Sequence, residues 1–396
     1  MHLQGIFKAL SYAMVLLLAA VIVPGCASLR PASTPGMALM WPEPPETTRI
    51  KFVGVLRSKR DLGRTAEEAV KEALLGPLQL PEALQQPMGL AVSPDGQRLY
   101  VSDYAKPDVL IFDFAARTVK PLWRGTLSGF QAPMGLAVDR QERVYVVDST
   151  ARNIRVFAPD GTVERVITHE QLERPTGIAV DDARGRMYVA DSSSTKSTNH
   201  VIRIFDMAGT YLRALGSQGS ETGQFLFPTY LALDADGNLY VTDTLNARVQ
   251  VFDPDGRHLK TFGERGDAYG MFDKPKGVAL DGFGNVYVVD SSWSNVQIFN
   301  PQGQVLLFFG GRGAYPGLLS NPTGIAIDRH NRIYVADAFN GRVCMYDLVN
   351  TTAEDSRAAA GAAPPAGQPM PAPSSASPAA DAPAAPEAAH AATGDI

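Results

Sequence analysis

Between residues 49 and 350, apolar runs of four to six residues alternate with clusters of Gly, Pro, Asn and Asp. One phrase recurs six times: Pro-x-x-hydrophobic-Ala-hydrophobic, followed some ten residues later by Tyr-Val-x-Asp. The closing residues are Asp103, Asp148, Asp191, Asp243, Asp290 and Asp337, at successive spacings of 45, 43, 52, 47 and 47. Self-similarity at this period means one supersecondary unit copied six times, and a unit that short must stack on its neighbours to bury its apolar faces.

Residues 228–263 set out the unit most clearly. Leu231-Ala232-Leu233 is a first strand, Asp236-Gly237-Asn238 a turn, and Leu239-Tyr240-Val241-Thr242 a second strand. Val249-Gln250-Val251-Phe252 is a third, Pro254-Asp255-Gly256 turns the chain, and Leu259-Lys260-Thr261-Phe262 is a fourth. The strands are rich in β-branched and aromatic residues, the breaks in turn formers, and no run is long enough for a helix. Six units of four antiparallel strands predict an all-β fold, a six-bladed β-propeller. The sixth unit has three strands, at residues 324–327, 333–335 and 343–346, before the apolar pattern stops. An orphan strand at residues 50–56 reads like a fourth strand and is expected to complete that last blade, covering an edge that would otherwise invite aggregation. Between it and the first blade, residues 64–75 read as a short capped helix.

The repeat resembles the NHL family. The matching pattern is Pro-x-Gly-Ile-Ala-Val-Asp, then Gly-Asn-x-Tyr-Val-x-Asp, then Asn-x-Arg-Val-x-Val-Phe, then Phe-Gly. It is closest in the fourth and sixth units, at Asn246-Ala247-Arg248-Val249 and Asn340-Gly341-Arg342-Val343. Elsewhere it departs: Asn153 and Asn295 stand where the fourth unit has Arg248, Lys106-Pro107-Asp108 fills that loop in the first, and residues 192–199 are an insertion in the third. The likeness speaks for fold more than for function, because propellers host unrelated activities.

Outside the repeats, the composition changes. Lys8 precedes an apolar stretch at residues 12–23 that ends in Val23-Pro24-Gly25-Cys26. This resembles a bacterial lipobox, which implies a signal peptide at residues 1–25 and a lipidated Cys26. The other reading is an uncleaved membrane anchor, but the run is shorter than the roughly 20 residues needed to span a bilayer. Ala27, in place of Asp, leans towards an outer-membrane location facing the periplasm. Residues 26–48 are Pro-rich and read as a tether, and residues 351–396, rich in Ala, Pro and Ser, as a disordered tail. With Cys26 acylated, Cys344 is left alone in a strand, where a buried inert thiol is expected. The 36 Lys and Arg against 41 Asp and Glu give a net charge of −5, which argues against a nucleic-acid partner.

Strand direction places the loops from fourth to first strands, and from second to third strands, on one face of the disc. These loops vary, and variable loops on a rigid scaffold are where binding resides. The residue after each Pro should line the mouth of the central channel: Met88, Met134, Thr176, Thr229, Lys276 and Thr323. Tyr230 replaces the usual Gly and brings a ring to the entrance. Arg248, Arg342 and Trp293 come from neighbouring loops, with Tyr104, Tyr269 and Tyr315 adding aromatic area. Arg248 and Arg342 have a second reading, as braces for Asp243 and Asp337.

The six recurring Asp residues answer a need of every blade, most simply as acceptors for backbone N–H groups, and do not read as a metal ring. No catalytic constellation is apparent: the mouth set lacks carboxylates, and His169, His200, His258 and His330 lie in separate units without metal-ligand spacing. The sequence therefore reads as an envelope-anchored scaffold that binds a protein, peptide or glycan with no cofactor expected. The alternative is a lactonase- or esterase-like hydrolase or lyase holding calcium or zinc in the channel.

Overall fold

The computed structural model describes residues 39–63, 83–123, 129–193 and 197–352, together with residues 71, 74, 354 and 355. The described residues form a ring of six antiparallel sheets. In blade 4 the strands run Pro228–Leu233, Leu239–Asp243, Arg248–Phe252 and His258–Phe262, from the axis outwards. Blades 1, 2, 3 and 5 repeat the order, with inner strands Pro87–Val92, Pro133–Val138, Pro175–Asp181 and Pro275–Leu280.

Blade 6 closes the ring as expected. Its own strands are Pro322–Ile327, Arg332–Asp337 and Arg342–Leu348, and Ile50–Leu56 pairs antiparallel with the last of these, from Ile50 against Leu348 to Leu56 against Val343. Ile50 and Leu56 are fully buried, so the strand is held by side chains as well as by its ladder. A fifth strand, Met40–Trp41, pairs beyond it. The Pro-rich segment read as tether up to residue 48 is therefore folded from Met40 onwards. Trp41 packs against Phe309 and Tyr346, with centroids 6.0 and 5.9 Å apart. A two-residue strand is too short to leave a period in the sequence, and the surrounding prolines hide it. Of the helix expected at residues 64–75, only Lys71 and Leu74 fall within the described residues; Cys26, the signal segment and the tail beyond residue 355 lie outside them.

There is no single core. Six apolar clusters fill the six gaps between neighbouring blades. The recurring tyrosines Tyr100, Tyr145, Tyr188, Tyr240, Tyr287 and Tyr334 lie within these gaps. Cys344 is fully buried in one of them, and burial pushes its thiol up to about 12, as an inert core thiol requires.

Near the axis the packing is backbone on backbone. A methyl group on Gly135 would sit 2.7 Å from the Thr176 carbonyl oxygen of the next blade. Glycine is required there because no side chain fits between two inner strands. Hydroxyls lock the same seams: Ser102 donates to Met134 O at 2.6 Å and Thr244 to Pro275 O at 2.7 Å.

Because Leu56 is buried in the seam between blades 6 and 1, Leu56→Ala should cost about 2–5 kcal/mol. Urea unfolding measures this; a loss below about 0.5 kcal/mol would mean that the closing strand contributes little, as at a freely exposed site.

Candidate binding face

In each blade the Pro that opens the inner strand lies opposite the Asp that ends the second, as in Pro228 against Asp243 and Pro322 against Asp337. The Pro-x-Gly segments and the recurring aspartates thus share one face, here called the top. The aspartates are buried and committed. Asp148 accepts from the backbone N–H groups of Gln131 and Ala132 at 2.8 and 3.0 Å, and Asp290 from that of Asp273 at 2.7 Å. Asp103, Asp191, Asp243 and Asp337 accept equivalent bonds from Gln85, Arg174, Leu226 and Ser320. Each carboxylate pins the chain where it enters a blade, the role that its recurrence predicts.

Two candidates for binding prove to be braces. Arg342 is only 2% exposed; its Nε donates to Asp337 at 2.7 Å, and its Nη2 to the carbonyls of Tyr315 and Leu318. Arg248 repeats the arrangement with Asp243, Glu221 and Gln224. In blade 3, Arg203 reaches Asp191 at 2.7 Å from a different position on the third strand, one that the repeat pattern did not single out. The threonines are likewise engaged. Thr176 donates to Ala190 O and Pro228 O, and Thr323 to Pro87 O and Met88 O; both are buried. Thr229, half-buried, bonds the hydroxyls of Thr242 and Thr244. These side chains face the seams between blades, so they are removed from ligand contact.

Three candidates remain, each a departure from the repeat. Tyr230 occupies a glycine position, and its hydroxyl donates to Met88 O at 3.2 Å. Met88 belongs to blade 1, opposite blade 4 in the ring, so the phenol crosses the channel and blocks it rather than merely standing at its entrance. Burial raises the Tyr230 phenol well above its ordinary value, so it stays a neutral donor.

Lys276 is the single cation among the six mouth positions. It is half-buried, and its ammonium has no hydrogen-bond or ion-pair partner among the described residues. Burial first, and then the neighbouring Lys274, depress its pKa, against a smaller pull from Asp290.

Trp293 stands where blades 4 and 6 have Asn246 and Asn340. Those amides donate to Gly219 O and Gly313 O at 2.9 and 3.0 Å; the Trp293 indole N–H makes the same bond to Gly266 O at 3.1 Å. The substitution keeps the structural donor and adds an exposed ring. It forms one wall of a cleft of about 550 Å³, with Arg265, Asp267, Asp273 and Arg312 around it. Arg265 is paired to Asp273 at 2.6 Å, and Arg312 donates to Ser292 O at 2.7 Å.

The repeat reading missed Phe339, Arg265 and Arg312. Phe339 is 68% exposed beside the consensus Asn340, and an aromatic ring in a turn, outside any alternating run, is the signal that marks it. With Tyr104, Trp293 and Tyr315 it makes up the exposed aromatic side chains of the described residues, all four in top-face loops of blades 5, 6 and 1. Tyr269 instead packs against Phe308, with centroids 5.3 Å apart.

Two family profiles match the chain. The NHL repeat matches residues 225–252, and the SMP-30/Gluconolactonase/LRE-like region matches residues 78–191. The repeat match falls on blade 4, and six such blades close into one ring. The chain is an NHL-type six-bladed β-propeller. Among solved structures, a gluconolactonase from Xanthomonas campestris has 19% identity and a TM-score of 0.54, covering 75% of this propeller chain and 98% of that chain. A protein of unknown function from Bacteroides thetaiotaomicron has 18% identity and a TM-score of 0.53, with 68% and 72% covered. A catalytically inactive virginiamycin B lyase from Staphylococcus aureus, solved with quinupristin, has 16% identity and a TM-score of 0.51, with 69% and 98% covered. At these identities the likeness speaks for the propeller fold.

The residues of this propeller do not fit a channel metal. The mouth positions carry no carboxylate, the recurring aspartates are occupied by backbone donors and arginines, and no group of three or more His, Cys, Asp or Glu suited to a metal occurs among the described residues. His200 is fully buried, with Nδ1 accepting from the Phe227 backbone N–H.

Removing a brace strands a buried carboxylate, so Arg342→Ala should destabilise the propeller by about 3–5 kcal/mol. A chemical-denaturation curve within about 0.5 kcal/mol of the parent would return Arg342 to the pool of ligand-binding candidates.

Proposed function

We propose that this propeller is a lipid-anchored binding scaffold of the cell envelope, with the top face over blades 5, 6 and 1 holding a protein or peptide partner. One observation carries the reading: the four exposed aromatics of the described residues, Tyr104, Trp293, Tyr315 and Phe339, converge on one face of three consecutive blades. Aromatic side chains provide large contact area at small entropic cost, and they are the usual anchors of protein interfaces. The Trp293 cleft, with Arg265 and Arg312, adds a recess in which such an anchor from the partner fits. Tyr230 blocks the axis, which favours a surface ligand over a small molecule taken up by the channel.

The match to the SMP-30/Gluconolactonase/LRE-like region favours a second reading, a hydrolase or lyase like the gluconolactonase of similar fold. That reading needs side chains to hold a metal in the channel, and the aspartates of this chain are engaged in pinning loops. The binding reading therefore stands first.

Photo-crosslinking in intact cells from position 315 should trap a defined partner, and the triple variant Trp293→Ala, Tyr315→Ala, Phe339→Ala, probed from position 104, should lose it while melting within a few degrees of the parent. Undiminished capture by the triple variant would remove this face from consideration. Anchoring is tested separately: Cys26→Ala should abolish incorporation of an alkyne-tagged palmitate, and label retained on that variant would refute lipidation at Cys26.

A further inference from the structure

In blades 2 to 5, the turn between the third and fourth strands rests on the fourth strand of the blade before it. Pro159-Asp160-Gly161, Pro254-Asp255-Gly256 and Pro301-Gln302-Gly303 are these turns in blades 2, 4 and 5, and Met207-Ala208-Gly209 in blade 3. The seat is close: a methyl group on Gly303 would stand 3.0 Å from the Phe262 side chain, and one on Gly161 2.8 Å from the Leu122 carbonyl oxygen. A cation from the preceding blade belongs to each seat. Opposite the residue before the third-strand Phe, the fourth strands of blades 1 to 4 carry Lys120, Arg165, Arg213 and Lys260. Arg165 donates to Met207 O, Arg213 to Asp255 O at 2.9 Å and Lys260 to Pro301 O. Lys120 lines a small cavity with Pro159 and Gly161.

The seam between blades 5 and 6 departs from this in two ways at once. Blade 5 has Leu307 at the cation's position, paired with Ile298. Among the described residues, blade 6 has no third-to-fourth turn, because its third strand ends at Leu348 and its fourth, Ile50–Leu56, comes from the other end of the propeller. A cavity of about 500 Å³ stands in the turn's place, within the roughly 300–1,000 Å³ of pockets that take a drug-sized ligand. Ile298, Leu306, Leu307 and Leu348 give it apolar walls, and Arg49 and Asp355, paired at 3.1 Å, line it as well. A Lys or Arg at position 307 would rest in water at little cost. Leu307, beside half-buried Leu306 and Leu348, gains instead from an apolar cover.

The chain itself leaves the described fold at the edge of this cavity. Thr351 and Asp355 line it, and Asp355 is pinned there by Arg49 and by the Thr352 hydroxyl at 2.7 Å. Residues 356–396 follow. They contain one Pro-x-Gly, Pro365-Ala366-Gly367, with Gln368 after it as Gln304 follows Pro301-Gln302-Gly303. Close behind stands Met370, the one large apolar residue before Ile396, between Pro369 and Pro371. The ten or so residues of chain after Asp355 reach about 33 Å, enough to double back. The prolines fix much of the backbone beforehand and reduce the entropy lost on docking. We propose that residues 364–371 of this chain dock in the cavity, with residues 365–367 where blade 6 lacks its turn and Met370 against the leucines. Methionine adapts readily to an irregular aliphatic pocket. Third-to-fourth turns lie on the face opposite the top, so this site is independent of the binding face proposed above.

The test uses the full chain in detergent. With p-benzoylphenylalanine in place of Met370, irradiation should crosslink the tail to peptides carrying Leu306 and Leu307, or Leu348, of the same chain. Leu307→Lys, which installs the residue found in blades 1 and 4, should abolish that crosslink while the propeller still melts cooperatively. A second measurement leaves the fold untouched. The double variant Pro365→Ser, Met370→Asp should bind the uncharged probe N-phenyl-1-naphthylamine at least about tenfold more tightly than the parent, since a tethered competitor acts at roughly millimolar effective concentration. A synthetic peptide of residues 361–373 should displace the probe from that variant. Crosslinks scattered over the surface, formed only between copies of the chain, or retained in Leu307→Lys would overturn docking of the chain's own tail. Equal probe affinity in parent and double variant would overturn it too, and would leave the cavity as a site for a free apolar ligand. If Leu307→Lys fails to fold, the double variant decides alone.

Discussion

Around the axis, the inner strands approach until only glycine fits between Gly135 and the Thr176 carbonyl, 2.7 Å from where a methyl group would stand. That closeness dictates the rest of the repeat. Backbone held so tightly must be delivered at a fixed angle, and the buried aspartates do this by gripping the N–H groups that precede each strand-opening Pro. The grip in turn needs compensation for a carboxylate out of water. Arg203, Arg248 and Arg342 provide it in three blades, while Asp148 and Asp290 accept several backbone donors. Glycine, proline, aspartate and arginine in the repeat are thus successive answers to one steric problem.

The six-fold pattern made blades, faces and closure legible in the sequence, because each is enforced six times over by burial. The recurring Asp residues were read correctly for the same reason. Individual side chains at the rim of a repeat were harder. Arg248 and Arg342 read two ways in the sequence, as binding residues or as braces for Asp243 and Asp337, and their ion pairs and burial against loop carbonyls decide for the braces. Thr176 and Thr323 line the mouth in sequence but turn into the seams, where a hydroxyl can reach the next backbone. Met40–Trp41 escaped because two residues carry no periodicity, and Phe339 because it sits next to a consensus Asn that drew attention to itself.

Against this background, the residues that break the repeat on the top face are the informative ones. Trp293 takes over the asparagine's hydrogen bond and still presents its ring to solvent. Tyr230 sacrifices the glycine contact and closes the axis, and Lys276 brings charge where five relatives in the same chain have none. Departures on adjacent blades gather the irregular side chains on one sector of an otherwise symmetric disc. A scaffold that must be regular to stand can still be irregular in one place.

The closure of blade 6 has a consequence for how the molecule is made. Asn350 bonds the Thr48 carbonyl across 302 residues of chain. Joining ends so distant adds little to the equilibrium cost, since loop entropy grows by only about 0.6 kcal/mol per doubling of length. It weighs instead on time: the strand synthesised first must wait, unpaired, for the strand synthesised last. Any chain cut short before residue 342 keeps an open sheet edge. The ring therefore carries its own test of completeness, in which only a finished polypeptide can hide the edges by which a quality-control protease or an aggregating neighbour would seize it.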